Sequence, residues 1–155
     1  MGGEVIMNTQ KTFNDLRKIN VNDMIEKKGN LSYLSWANAV DTLLQNDPTA
    51  TWQFHEPKMY GQTMMVSCSV TALGKTMNMH LPVMDHKNNA VANPDARKVN
   101  DAMMRCLAKC IACFGVGLYI YAGEDLPMDE EPIKPQPIQP VKPAIKPKKS
   151  TFDEF

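Results

Sequence analysis

The 155-residue chain carries 17 Lys+Arg against 17 Asp+Glu, with 43% hydrophobic and 22% charged residues and only 8 Gly against 11 Pro. A chain of this length holds one globular domain with a modest core, which excludes multidomain enzymes and full α/β barrels. Zero formal net charge excludes a histone-like binder that relies on bulk positive charge, but it leaves a local basic patch open.

The start, MGGEVIMNTQ, lacks the basic and apolar regions of a secretory signal. Ile6 stands where a myristoylation signal wants Ser or Thr. The expectation is therefore a cytoplasmic protein with reduced thiols at Cys68, Cys106, Cys110 and Cys113. Thr12 to Ile19 and Val21 to Lys27 read as short helical turns, broken by Gly29-Asn30. Ser35 then caps a helix whose buried stripe is Trp36, Ala39, Val40, Leu43 and Leu44, stopped by Asn46-Asp47-Pro48.

Three strand-like runs follow: Thr51 to Glu56, Thr63 to Leu73 and Thr76 to Met84. Residues 58–62 separate the first two, and Gly74-Lys75 reads as a two-residue hairpin turn between the last two. In the middle run Val66, Cys68 and Val70 alternate with Ser67, Ser69 and Thr71, one apolar face against one polar face. A polar loop, Asp85 to Ala92, leads to the strongest helical pattern. Asn93 is its expected N-cap with Pro94 at the first helical position, and Val99, Met103, Cys106, Leu107, Cys110, Ile111 and Phe114 form its apolar face. Gly115 and Gly117 end it, and Leu118 to Tyr121 form a short last strand or packed segment. The order predicts an α+β fold, a three-stranded antiparallel β-meander packed on a long α-helix.

After Pro127 the composition changes. Proline recurs every two to five residues up to Lys149, which fixes φ, removes backbone donors and predicts a disordered, extended Pro/Lys-rich tail. The expected organisation is a domain over residues 1–126, a linker over 127–149, and an acidic-aromatic tip over 150–155. No stretch is long and apolar enough to suggest a membrane span: Cys110 to Gly123 falls short of the ~18–20 residues needed.

Several motifs invite chemistry and fail on spacing. Cys106-x3-Cys110-x2-Cys113 matches a radical iron–sulfur spacing, but Cys106 and Cys110 fall on a buried helix face, so core packing is the better reading and no metal is expected. Gly74-Lys75-Thr76 echoes a phosphate loop, yet Ser69 stands where its first glycine belongs and a strand follows. His55, His80 and His86 are scattered without partners. No catalytic constellation and no cofactor are expected. What remains is a polar face on the long helix, opposite the Met103, Leu107 and Cys110 face. Lys98, Arg105 and Lys109 recur at intervals of seven and four, Arg97 can join them, and after Asp101 the helix carries no acid, leaving a positive ridge on which phosphates could lie. Tyr33 and Tyr60 are candidates for base stacking, whereas Trp36 reads as core.

The blocks Ile19–Asn22, Leu31–Ala37, Leu81–Asp85, Met104–Lys109 and Phe114–Pro127 resemble, in order and spacing, the Sak-type phage single-strand annealing proteins, grouped with Redβ, Erf and the eukaryotic Rad fifty-two protein. The resemblance implies ATP-independent pairing of complementary strands by a non-enzymatic protein of homologous recombination. It also implies a ring or helical filament of identical subunits, in the cytoplasm of an infected bacterial host, with single-stranded DNA in a basic groove. Counting back from Phe114-Gly115, Lys109 falls on a DNA-contacting arginine of the eukaryotic relative, whose basic neighbours are replaced here by Ala108 and Ala112. The DNA-binding set that follows is Lys109, Arg105, Lys98, Arg97, Tyr33, Tyr60 and Lys75. The tip, Phe152, Asp153, Glu154 and Phe155, is similar to the acidic tails of bacterial single-stranded-DNA-binding proteins. It implies docking on a partner, such as a host single-stranded-DNA-binding protein or a recombination exonuclease. The alternative is a passive single-strand binder or adaptor that recruits partners through this tip.

Overall fold

The computed structural model describes residues 10–28 and 31–122. The linker, the tip with Phe152, Asp153, Glu154 and Phe155, and the Gly29-Asn30 break lie outside the described residues. The architecture is α+β with antiparallel sheets.

Helix α1 (Phe13–Arg17) opens on Thr12 and Asp15, which form a reciprocal capping box. A 3₁₀ turn, Asn22–Met24, then leads into strand β1 (Ile25–Lys28), which pairs antiparallel with β2 (Leu31–Leu34). The expected helical turn thus covers only its first half. Glu26, Lys27 and Lys28 suit a helix, but the ladder with residues 31–34 overrides that local preference. Helix α2 (Trp36–Asn46) starts where its cap predicts, with the backbone N–H of Asn38 donating to Ser35 Oγ at 3.3 Å.

The main sheet has four strands, not three. β3 (Thr51–Phe54) and β4 (Lys58–Tyr60) lie along the same edge of β5 (Thr63–Ala72), and β6 (Lys75–Pro82) lies along the other. Between β3 and β4, residues 55–57 oppose only residues 66–67, a bulge in which Pro57 has no N–H to give the ladder. The sequence break at this proline hides β4, which the sequence pattern assigns to a connection. The β5–β6 turn sits one residue earlier than expected, at Leu73-Gly74, with Ala72 paired to Lys75. Both turn residues have positive φ, 51° and 76°, the type I′ geometry whose twist suits a hairpin. That geometry opposes leucine by about 1–2 kcal/mol. Leu73 is held there by packing on the core and by its N–H donating to Asp47 Oδ2 at 2.8 Å.

Helix α3 (Ala96–Ala112) begins later than the Asn93-Pro94 reading. Asn93 adopts a left-handed φ of 46°, its N–H bonded to Gln62 O, and Asp95 takes the cap, its Oδ1 accepting from the Lys98 N–H at 2.9 Å. The helix lies across β5 and β6 and also meets α2. Cys68, Cys106, Leu107, Ile111 and Phe114 are buried between these layers with Leu43, Val66, Val70 and Val83. Removing a side chain such as Phe114 or Leu107 from water contributes roughly 1.5–3 kcal/mol each. The last segment is a one-turn helix, α4 (Leu118–Tyr121), packed on β2. Tyr119 pins it to the 3₁₀ turn before β1: its hydroxyl donates to Asn22 Oδ1 at 2.6 Å and accepts the Val21 N–H at 3.2 Å.

Candidate nucleic-acid interface

Because α3 buries Ala102, Cys106, Leu107, Ala108, Cys110, Ile111 and Ala112, little of its second half remains open to solvent. Positions 98, 105 and 109 fall within about 40° of arc at roughly 100° per residue. Lys98 and Arg105 are exposed and Lys109 is half-buried. The three therefore form a narrow edge beside a buried surface, not one side of an evenly solvated helix. Arg97 is exposed but sits about 100° round the helix from Lys98. Lys109 Nζ lies 5.8 Å from the centre of the Tyr121 ring, a cation–π contact between the end of α3 and α4.

Lys75 stands at the start of β6, beside the C-terminal end of α3. Its Nζ is 5.8 Å from the Phe114 ring centre, and its charge partly offsets the rise that burial imposes on the Cys113 thiol pKa. Cys113 in turn donates to the backbone carbonyl of Lys109, one helical turn back, at 3.5 Å. Lys75 also lines a hollow of about 270 Å³ together with Gln10, Lys11, Thr12, Phe13 and Leu73. Sequence patterning misses Lys11 and Phe13, since nothing local links the start of α1 to a hairpin turn far along the chain.

The aromatic candidates separate. Tyr60 is 55% exposed on β4, whereas Tyr33 is half-buried and hydrogen-bonded to Glu26 across the hairpin, which raises its phenol pKa. These two rings sit on β4 and β2, not on α3 with the ridge. Trp36 corrects its sequence reading. It is 46% exposed, and the buried stripe of α2 begins at Ala39. The sheet face opposite the core is polar and uncharged over its central pairs. Ser69 Oγ donates to Asn78 Oδ1 at 2.6 Å, and the hydroxyls of Thr71 and Thr76 meet at 2.7 Å.

Three of the four thiols, Cys68, Cys106 and Cys110, belong to the core, and Cys113 is half-buried. Cys106 and Cys110 donate to the carbonyls of Met79 and Met77 at 3.5 and 3.4 Å, and Cys68 Sγ lies 3.6 Å from Cys106 Sγ. The hydrogen bond with Cys106, with burial, pushes the Cys68 thiol up to about 12; the bond with Cys68 and burial push Cys110 up as well. Among the described residues no group of three or more His, Cys, Asp or Glu is arranged to hold a metal ion, and no helix is long and apolar enough to cross a membrane.

Fold and surface together define a small α+β protein that presents a cationic helix edge beside a buried core. The chain belongs to the Sak Single Strand Annealing Protein family, whose family model matches residues 11–149. Membership places it among single-strand annealing proteins of phage-type recombination, and the match runs through the proline-rich linker but stops before the tip. A comparison with curated proteins finds no match.

Proposed function

We propose that the protein pairs complementary single strands without nucleotide hydrolysis, holding one strand by its phosphates along Lys98, Arg105 and Lys109. The observation that carries this reading is the ridge itself: Lys98, Arg105 and Lys109 on one narrow edge of a helix that buries Cys106, Leu107, Cys110 and Ile111, in a chain of the Sak annealing family. A strand bound through phosphates leaves its base edges available, and neutralised phosphates repel a second strand less. Duplex stacking of about 1.4 kcal/mol per step then drives pairing without ATP.

Residues 1–126 contain 12 basic and 12 acidic residues, so one protomer offers a weak, local site. Repetition of that site around a ring or filament converts weak contacts into avidity. Arg97 and Lys75 extend the cationic path at either end of α3, and exposed Tyr60 and half-buried Tyr33 offer ring faces to bases. The tip residues Phe152, Asp153, Glu154 and Phe155 dock a partner protein, leaving annealing to the domain.

The test is equilibrium binding of the Arg105→Ala/Lys109→Ala variant to oligo-dT across a salt series. Loss of two phosphate contacts should shallow the slope of log affinity against log salt by about 1.4, at ~0.7 per single-strand contact, with circular dichroism unchanged. An unaltered slope would remove the ridge from the account.

A further inference from the structure

The hollow beside Lys75 has a composition of its own. Lys11 and Lys75 are exposed and both line it; Phe13 and Leu73, half-buried, supply an aromatic and an aliphatic wall; Gln10 adds an amide at the rim. The Phe13 ring carries the Arg17 guanidinium at 5.8 Å, and Arg17 itself does not line the hollow. One acid is nearby. Asp15 is engaged at the helix start, where its Oδ2 accepts the Thr12 N–H at 2.8 Å and the Thr12 hydroxyl at 3.0 Å. The volume, about 270 Å³, is just under the roughly 300 Å³ at which ligand pockets usually begin. It suits one planar group with its sugar and not a run of them.

Two ammonium groups flanking an aromatic wall match the chemistry of one nucleotide in a single strand, phosphates on the cations and base against the ring. Lys75 also places the hollow near the C-terminal end of α3, its Nζ 5.8 Å from the Phe114 ring centre. It lines the hollow and at the same time acts on Cys113, which is bonded to the Lys109 carbonyl.

We infer that the hollow between α1 and the β5–β6 turn is a nucleotide subsite, in which Phe13 stacks on one base of a single strand while Lys11 and Lys75 take its flanking phosphates. This rests on the single-strand reading above and extends it to residues on a different element. The ring, not the charge alone, distinguishes the subsite from a further stretch of solvated lysines.

Photo-crosslinking of the full chain to oligo-dT bearing 5-iododeoxyuridine, with adducts mapped by mass spectrometry, tests it, alongside binding by Lys11→Ala and Phe13→Leu. Expected are an adduct at Phe13, a loss of affinity of about fivefold or more for Phe13→Leu, and a salt slope about 0.7 shallower for Lys11→Ala. Lys11 is exposed and outside the core, so its variant reports on binding without disturbing the packing. Adducts confined to other residues, with Lys11→Ala unchanged, overturn the subsite while leaving the ridge intact. Failure of the wild-type protein to bind oligo-dT at low salt overturns both.

Discussion

Gly115, in the corner between α3 and α4, has a φ of +111°, outside the conformations that side chains tolerate. A Cβ built there would lie 2.7 Å from Arg17 N and 2.9 Å from Phe13 O. Both are backbone atoms of α1, so no rotamer change relieves the contact. The strained dihedral is worth about 1–3 kcal/mol and the overpacking a similar ~1–3. The escape route is no easier. Lifting α1 away would draw the fully buried Leu16 out of the core at about 1.5–3 kcal/mol. Gly115→Ala should therefore destabilise the domain by roughly 2–6 kcal/mol out of a typical total of ~5–15. Urea denaturation followed by circular dichroism measures this. Gly61→Ala is the matched control, because Gly61 also has positive φ but nothing within 4 Å of its Cβ, leaving about 1–2 kcal/mol of backbone strain alone. A Gly115→Ala midpoint no lower than that of Gly61→Ala would refute the close seating of α1 on the corner, and with it the shape of the hollow at Phe13.

Two further outcomes follow from the same geometry. Hydrogen bonds from the Thr49 hydroxyl, the Leu73 N–H and the Thr49 N–H lower the Asp47 carboxyl pKa. A depressed folded-state value means stability that is present above the unfolded pKa and lost as pH falls through the folded one, so Asp47→Asn should flatten the acid limb of a stability profile below about pH 4. An acid limb identical to wild type would contradict the role of Asp47 in holding the β5–β6 turn. Iodoacetamide should alkylate half-buried Cys113 first, with Cys68, Cys106 and Cys110 reacting only on unfolding; rapid labelling of Cys106 in the native protein would show that α3 does not sit on β6 as described.

Legibility from sequence tracked the range of the interaction. The alternation of Val66, Cys68 and Val70 and the helical spacing of Cys106, Leu107, Cys110 and Ile111 are local signals, and both place their residues in the core. The β1–β2 hairpin was hidden because its charged residues suit a helix until Leu31–Leu34 pairs with them. β4 was hidden because Pro57 interrupts the run that β3 begins, and only the register with Thr63–Met65 restores it. Trp36 fits the apolar stripe of α2 by spacing, yet burial depends on what covers the first turn of that helix, which spacing does not encode. The same holds for the surface. The intervals linking Lys98, Arg105 and Lys109 are visible in the sequence, whereas the meeting of Lys11, Phe13 and Lys75 is made by the fold.

The central claim is strand pairing, and the direct measurement is the rate at which two complementary, dye-labelled oligonucleotides anneal, read by energy transfer in the absence of nucleotide. The account predicts that the wild-type protein accelerates pairing and that Arg105→Ala/Lys109→Ala removes most of the acceleration. Slower pairing with wild-type protein would contradict it and identify a passive single-strand binder instead.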